Sequence, residues 1–156
     1  MLNPIPSEVD VAVIGAGSAG LPAFRAAREH TDRVILIERG PHGTTCARVG
    51  CMPSKLLIAA AEAAHGMEIA PGFGIHPGSI SIDGEAVMER VRRERDRFVG
   101  FVLDGVDRID PEQKISGQAR FVEDSRLEIG NSQVRAGRVV IASGTSPAIP
   151  DFLEQV

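Results

Sequence analysis

Two short apolar runs frame the start of the chain. "DVAVIG", Asp10–Gly15, and "RVILIE", Arg33–Glu38, are too short for helices and rich in β-branched residues, the pattern of buried strands. Between them, "AGSAGLPAFRAAREH" is rich in Ala and carries its apolar residues at helical spacing. Strand, helix and strand in this order predict a βαβ unit with parallel strands and a right-handed crossover. The segment Thr45–His65 turns into an Ala/Leu-rich helix, with Ser54 and Lys55 leading into "LLIAAAEAA". Gly66–Ser81 contains Pro71, Gly72, Gly74, Pro77 and Gly78 and reads as loop. Asp83–Arg108 reads as a long charged helix. Val87, Val91, Phe98, Val102 and Val106 fall near helical spacing, and the Arg and Glu residues between them form a solvated face. From Lys114 the period changes. "KISGQARFVED", "RLEIG", "QVRAG" and "RVVIAS" are short strand candidates, predicting a β-meander from Lys114 to Ser143.

Composition narrows the class. A chain of 156 residues is about one domain, and 43% apolar with 24% charged residues is ordinary for a globular protein. A net charge of −4 gives no reason to expect nucleic acid or an anionic membrane surface. There is no Trp and no Tyr, so platforms for stacking bases are scarce. The N-terminus lacks the pattern of a signal peptide, and no apolar run reaches the ~18 residues of a membrane span. A cytoplasmic location is therefore expected. In that compartment a close cysteine pair is more often catalytic or metal-binding than a staple.

"GAGSAG", Gly15–Gly20, fits G-x-G-x-x-G. The pattern alone is weak, but here it follows a predicted strand, opens a predicted helix and is followed by an acid, Glu38, at the end of the next strand. That is the context of a dinucleotide site. Gly15 permits the tight turn, Gly17 lets the backbone approach a diphosphate, and Gly20 lets the helix lie close to the strand. The helix N-terminus offers free N–H groups and partial positive charge. Glu38 can accept hydrogen bonds from ribose hydroxyls. Pro22 is unusual so early in a helix, although the first turn tolerates a missing donor. The expected fold is α/β: a small, mainly parallel Rossmann-like sheet with flanking helices on both faces, plus the β-meander. The fingerprint does not distinguish NAD from FAD.

"TTCARVGCMPSK", residues 44–55, holds the only two cysteines, Cys46 and Cys51. In a regular helix that separation spans ~7.5 Å along the axis, whereas disulfides want Cα atoms within about 7 Å. The pair can bond only across an irregular turn, which Gly50 and Pro53 supply. Regular helix is then expected from Ser54. A disulfide held that way is reducible, and a thiolate near a helix N-terminus has a depressed pKa. Other readings stay open. A metal site needs further ligands, and His42 is the only His nearby; no metal site is expected. The pair also fits two inert thiols.

The segment resembles the redox-disulfide motif of the flavin-dependent pyridine nucleotide–disulfide oxidoreductases: Gly-Gly-Thr-Cys, four residues, Cys, an apolar residue, Pro and then Ser-Lys. The ending Pro53-Ser54-Lys55 resembles that of dihydrolipoamide dehydrogenase or mercuric reductase, whereas glutathione reductase usually carries Lys at the place of Ser54; dihydrolipoamide dehydrogenase is the expected parent and mercuric reductase its rival. "IASGTSPAIP", Ile141–Pro150, resembles the family's Ala-Thr-Gly-Ser segment. The resemblance implies that 1–156 is an FAD-binding domain. Gly15, Gly17 and Gly20 would hold the diphosphate and Glu38 the adenosine ribose. Thr45, Cys46 and Lys55 would lie along the cofactor, Ala119 would meet the adenine, and Ser143 and Gly144 would lie near the diphosphate. Cys46 would be the interchange thiol and Cys51 the thiol facing the flavin.

Thr44 departs from the second Gly of that motif, Ala47 and Arg48 from its apolar-Asn pair, and Ser143 from the usual Thr. Arg48 adds positive charge between the thiols. The resemblance also implies an NAD domain, a central domain and an interface domain forming a homodimer, and here there is one G-x-G-x-x-G and no His-x4-Glu. The chain is therefore expected to be the FAD half-site of a larger enzyme, inactive alone. Its partners would be the rest of the parent chain and a dithiol or disulfide substrate such as lipoamide. A non-catalytic flavin or nucleotide module working with a partner chain is the reading from another class.

Overall fold

A computed structural model describes residues 5–146 and 148–153, so Pro147 of the Ile141–Pro150 segment and both chain ends lie outside the described residues. The chain divides into two compact units, Met1–Pro41 with Asp110–Val156, and His42–Ile109.

In the first unit, the two apolar runs are strands β1 (Glu8–Ile14) and β2 (Val34–Glu38). They pair in parallel, from Val11 beside Val34 to Ile14 beside Ile37. Helix α1 (Gly20–Arg28) connects them and packs against both, burying Leu21 and Phe24. Four further strands complete one six-stranded sheet: β3 (Lys114–Ser116), β4 (Ala119–Glu123), β5 (Arg126–Ile129) and β6 (Ser132–Ile141). The order is β3-β2-β1-β6-β5-β4. The pairs β1–β2, β2–β3 and β1–β6 are parallel; β4–β5 and β5–β6 are antiparallel. This is the expected α/β architecture.

Two details differ from expectation. "QVRAG" and "RVVIAS" form one strand, β6, because Gly137 is a close-packed strand residue and not a turn. A Cβ there would stand 3.0 Å from the Asp10 carbonyl oxygen. And β3 lies outside the meander, paired in parallel with β2. It ends at Ser116 while β4 begins at Ala119 on the opposite edge of the sheet. Three residue steps reach at most ~11 Å, so the sheet must curl until its two edges approach at that end. A Cβ on Gly117 would stand 2.8 Å from Ile129 Cγ2, which shows how close β3's end comes to β5. Ile35 and Ile37, Ile115, Leu127 and Ile129, and Val134 and Ala136 belong to one buried cluster. Their spacing of two along each strand puts them on a common face.

In the second unit, three helices pack on one another: α2 (Thr45–Arg48), α3 (Cys51–Ile69) and α4 (Gly84–Asp107). Asp83 caps α4 by accepting a hydrogen bond from the Ala86 N–H at 3.0 Å. Val91 and Val106 of its apolar stripe are buried, while Arg90, Arg92, Arg93 and Arg97 are exposed. Helix α3 runs through Gly66 and ends only at a 3-10 turn, Ala70–Phe73, closed by left-handed Gly74. It is strongly apolar, yet none of its residues is buried. No helix among the described residues is long and apolar enough to cross a membrane.

The glycines divide into packed and free positions. A Cβ on Gly20 would collide with the Gly15 carbonyl oxygen, while one on Gly66 meets nothing within 4 Å. Gly20→Ala is expected to lower stability by about 3 kcal/mol, as overpacking against backbone does. Gly66→Ala is expected to raise it by about 0.5–1 kcal/mol through helix propensity. Urea unfolding of both variants checks the pair of signs.

Candidate functional site

In the first unit, β1 hands over at Ile14 to a glycine turn. Gly15 is left-handed, φ +104°, and donates its N–H to the Ile37 carbonyl at 2.7 Å. A Cβ on Gly15 would collide with the Ala142 carbonyl, and one on Gly20 with Gly15, whereas one on Gly17 meets nothing within 4 Å. Two glycines therefore allow strand, turn and helix to close up, and the third leaves bare backbone facing open space. Ala19, at the start of α1, makes no side-chain cap bond, and the first turn carries no acidic residue. No side chain therefore competes with an anion at this end, although the Leu21 N–H already donates to the Gly17 carbonyl at 3.1 Å and the Ala23 N–H to the Ala19 carbonyl at 3.2 Å. Pro22 sits within this first turn, where a missing donor costs least.

Glu38 ties the second strand to the turn. Its Oε2 accepts from the Ala16 N–H at 2.7 Å and its Oε1 from the Gly40 N–H at 2.8 Å. Each carboxylate oxygen keeps acceptor capacity beyond these bonds. A cavity of about 340 Å³ is lined by Gly15, Glu38, Ala119 and Ser143, four residues singled out in the sequence and drawn from four segments. Gly144, left-handed at φ +73°, follows Ser143. Arg39, Gly117 and Gln118 also line the cavity. The sequence reading missed these three, although they adjoin Glu38 and Ala119. A larger cavity, about 520 Å³, is lined by Glu8, Arg28, Asp32, Arg33 and Asp110 among others. It holds none of the candidate residues, and four of its charges pair with each other, Arg28 with Asp32 at 2.7 Å and Arg33 with Glu8 at 3.3 Å. Open α/β sheets bind ligands beyond the carboxyl ends of their strands, which favours the smaller cavity.

The second unit holds the cysteines. Helices α2 and α3 are separated by Val49 (φ −137°, ψ 0°) and Gly50 (φ −116°, ψ −108°). The irregularity expected over Gly50–Pro53 is thus confined to Val49 and Gly50, and α3 begins at Cys51 and not at Ser54. Pro53 falls in the first turn of α3, where its lack of an N–H is tolerated. A Cβ on Gly50 would stand 3.2 Å from the Thr45 carbonyl oxygen and 3.5 Å from Cys46 Cα. The bare glycine is what lets the two helical pieces fold together.

Both thiols are free, Cys46 half-buried and Cys51 exposed. The Cys46 thiol is pushed above the ordinary cysteine pKa, first by its hydrogen bond with the Cys51 side chain, then by partial burial and by repulsion from a Cys51 thiolate. The Cys51 backbone N–H and the Lys55 ammonium pull it down, but less. For Cys46 this reverses the expected depression near a helix end: proton sharing between neighbouring thiols outweighs the helix and the lysine. Among the charges acting on Cys46 the lowering one is Lys55, one turn along α3, and not Arg48. Thr45, the first residue of α2, accepts from the Val49 N–H through its carbonyl at 3.0 Å. Among the described residues, the one buried side-chain polar atom without a partner is His42 Nδ1.

The family model described as pyridine nucleotide-disulphide oxidoreductase matches residues 9–156. The chain is 36% identical over 159 residues to a mercuric reductase from Streptomyces lividans, covering 94% of this chain and 33% of that protein. It is 37% identical to a mercuric reductase from Serratia marcescens, covering 91% and 32% respectively. It is 32% identical to a glutathione reductase from Burkholderia cepacia, covering 92% and 32%. The chain thus spans about a third of the length of these curated relatives. Its fold is shared with a solved structure described as the Cu(II) complex of the HOCl-induced flavoprotein disulfide reductase RclA from Escherichia coli. That match has a TM-score of 0.66 and 22% identity and covers 94% of this chain and 31% of the other.

Because the Cys51 side chain is the main cause of the raised Cys46 pKa, Cys51→Ala is expected to bring Cys46 back toward an ordinary thiol. More Cys46 is then thiolate at neutral pH, so its alkylation by iodoacetamide at pH 7 should be faster than in the unmodified chain. Lys55→Gln should act in the opposite direction. Peptide mapping over a pH series reads both.

Proposed function

Because the chain belongs to the pyridine nucleotide-disulphide oxidoreductase family, whose members are FAD-dependent, we propose that it is the FAD-binding, redox-disulfide portion of a mercuric reductase-like flavoprotein. The observation that carries this reading is the Cys46/Cys51 pair, two free thiols placed on either side of the Val49–Gly50 break between α2 and α3, in a chain 36–37% identical to two mercuric reductases. Ser54 adds to it, since glutathione reductases usually carry Lys there. The finer expectation of a dihydrolipoamide dehydrogenase parent gains no support from these relatives.

The residues present fit a dinucleotide. Gly17 leaves open backbone, α1 is uncapped, and Glu38 stands beside a cavity shared with Ala119 and Ser143. We assign Gly15, Gly17 and Gly20 to the diphosphate, with Ser143 and Gly144 near it, Glu38 to the adenosine ribose and Ala119 to the adenine. Thr45, Cys46 and Lys55 are assigned to the flavin portion. Bound FAD supplies two-electron redox chemistry. The chain's own part is the thiol pair: a Cys46–Cys51 disulfide that takes up two electrons and two protons becomes the dithiol. Cys46 is the interchange thiol toward the substrate and Cys51 the thiol on the flavin side. Lys55 stabilises negative charge on Cys46. The substrate class is a soft, thiol-seeking metal ion or a disulfide. The NAD(P)-binding portion and a homodimer partner belong to the longer protein.

Two measurements test this. FAD should bind the chain more tightly than NAD in calorimetric titration, and Glu38→Ala should weaken FAD about 10- to 100-fold, the scale of hydrogen bonds to a charged group. Tighter binding of NAD would overturn the cofactor assignment. In the longer parent protein, NADPH oxidation should depend on Hg(II) more strongly than on lipoamide. The reverse preference would restore the dihydrolipoamide reading.

A further inference from the structure

The residue before the redox segment holds a conformation that its side chain resists. Thr44 has φ +59° and ψ +147°, a region open to glycine and rarely occupied by L side chains, least of all β-branched ones. Among the described residues only Ser125 is another non-glycine with positive φ. Such a conformation persists only where the surroundings over-determine it. Here they do. Thr44 Oγ1 accepts from the Ala47 N–H at 3.1 Å, and the Thr44 carbonyl accepts from the Arg48 N–H at 3.1 Å. Upstream there is no slack, because a Cβ on Gly43 would stand 3.0 Å from both Arg48 Cδ and Val99 Cγ1. Downstream, Gly50 is packed against Thr45 and Cys46.

The turn so clamped is α2, four residues long, and Cys46 is its second residue. A helix this short has no stability of its own. Its geometry is imposed by its cap, and with it the placement of the Cys46 thiol beside Cys51. We propose that Thr44 is a positioning residue that sets the thiol–disulfide equilibrium of Cys46 and Cys51. The inference rests on the reading of the two cysteines as a redox pair. Two thiols held narrowly together have a high effective concentration toward each other. Loosening the turn lowers it and shifts the balance toward the dithiol.

The reaction that reports this uses glutathione disulfide as oxidant. One cysteine thiolate attacks it, releasing one glutathione and forming a mixed disulfide. The second cysteine thiolate displaces the other glutathione. One S–S bond breaks and one forms, two electrons pass to glutathione, and the two protons end on the released thiols.

The test equilibrates the chain and three variants in glutathione redox buffers and quantifies the Cys46–Cys51 disulfide by alkylation and mass spectrometry. Thr44→Ser keeps the hydroxyl and should lie within about twofold of the unmodified chain. Thr44→Ala and Thr44→Gly lose the cap bond and should shift the equilibrium toward the dithiol by roughly three- to tenfold, the scale of one capping bond. Thr44→Gly also relieves the backbone strain, so its thermal unfolding should stay near that of the unmodified chain, separating placement of the thiol from loss of fold. If Thr44→Gly folds and its equilibrium lies within twofold of the unmodified chain, the proposal is overturned while the redox reading stands. If the unmodified chain forms no intramolecular disulfide at any glutathione ratio, the redox reading fails and the proposal with it.

Discussion

The first unit depends on a link of two residues. Gly117 and Gln118 join β3 to β4 across opposite edges of a six-stranded sheet. So short a connection is possible only if the sheet curls. Curling puts Ile115 and Ile129 in one buried cluster. It also brings Ala119, at the start of β4, to the same cavity as Gly15 and Glu38 at the ends of β1 and β2. A flat sheet with the same strands would leave these residues at its two far sides. The Glu38 carboxylate then locks the rim, because its two bonds to the Ala16 and Gly40 N–H groups fix the turns after both strands.

The second unit shows the same economy at smaller scale. Backbone geometry at three positions, Gly43, Thr44 and Gly50, folds two helical pieces so that Cys46 meets Cys51. The electrostatic consequence runs against the usual expectation for a thiol near a helix end. A neighbouring thiol that shares the proton holds the Cys46 proton more firmly than the Cys51 N–H and Lys55 can release it. Membership of the pyridine nucleotide-disulphide oxidoreductase family gives this geometry its context. The apolar but unburied helix α3 begins at Cys51 itself.

Much of this was legible in the sequence, for identifiable reasons. Local signals settled the βαβ unit: buried strands read as unbroken β-branched runs, and G-x-G-x-x-G works through backbone geometry that only glycine allows. The spacing of Cys46 and Cys51 around Gly50 announced an irregular turn for the same reason. What tertiary structure alone decided was pairing and proximity. Gly137 looked like a turn residue and is a strand glycine, because another backbone approaches it. Lys114–Ser116 looked like the start of the meander and instead pairs with β2, because hydrogen bonding between distant strands overrides local order. Gln118 enters the cavity only through the curl of the sheet, which brings the start of β4 to the ends of β1 and β2. The direction of the Cys46 shift follows from how strongly each of several nearby groups acts on the thiol, and a linear sequence carries spacing but not geometry.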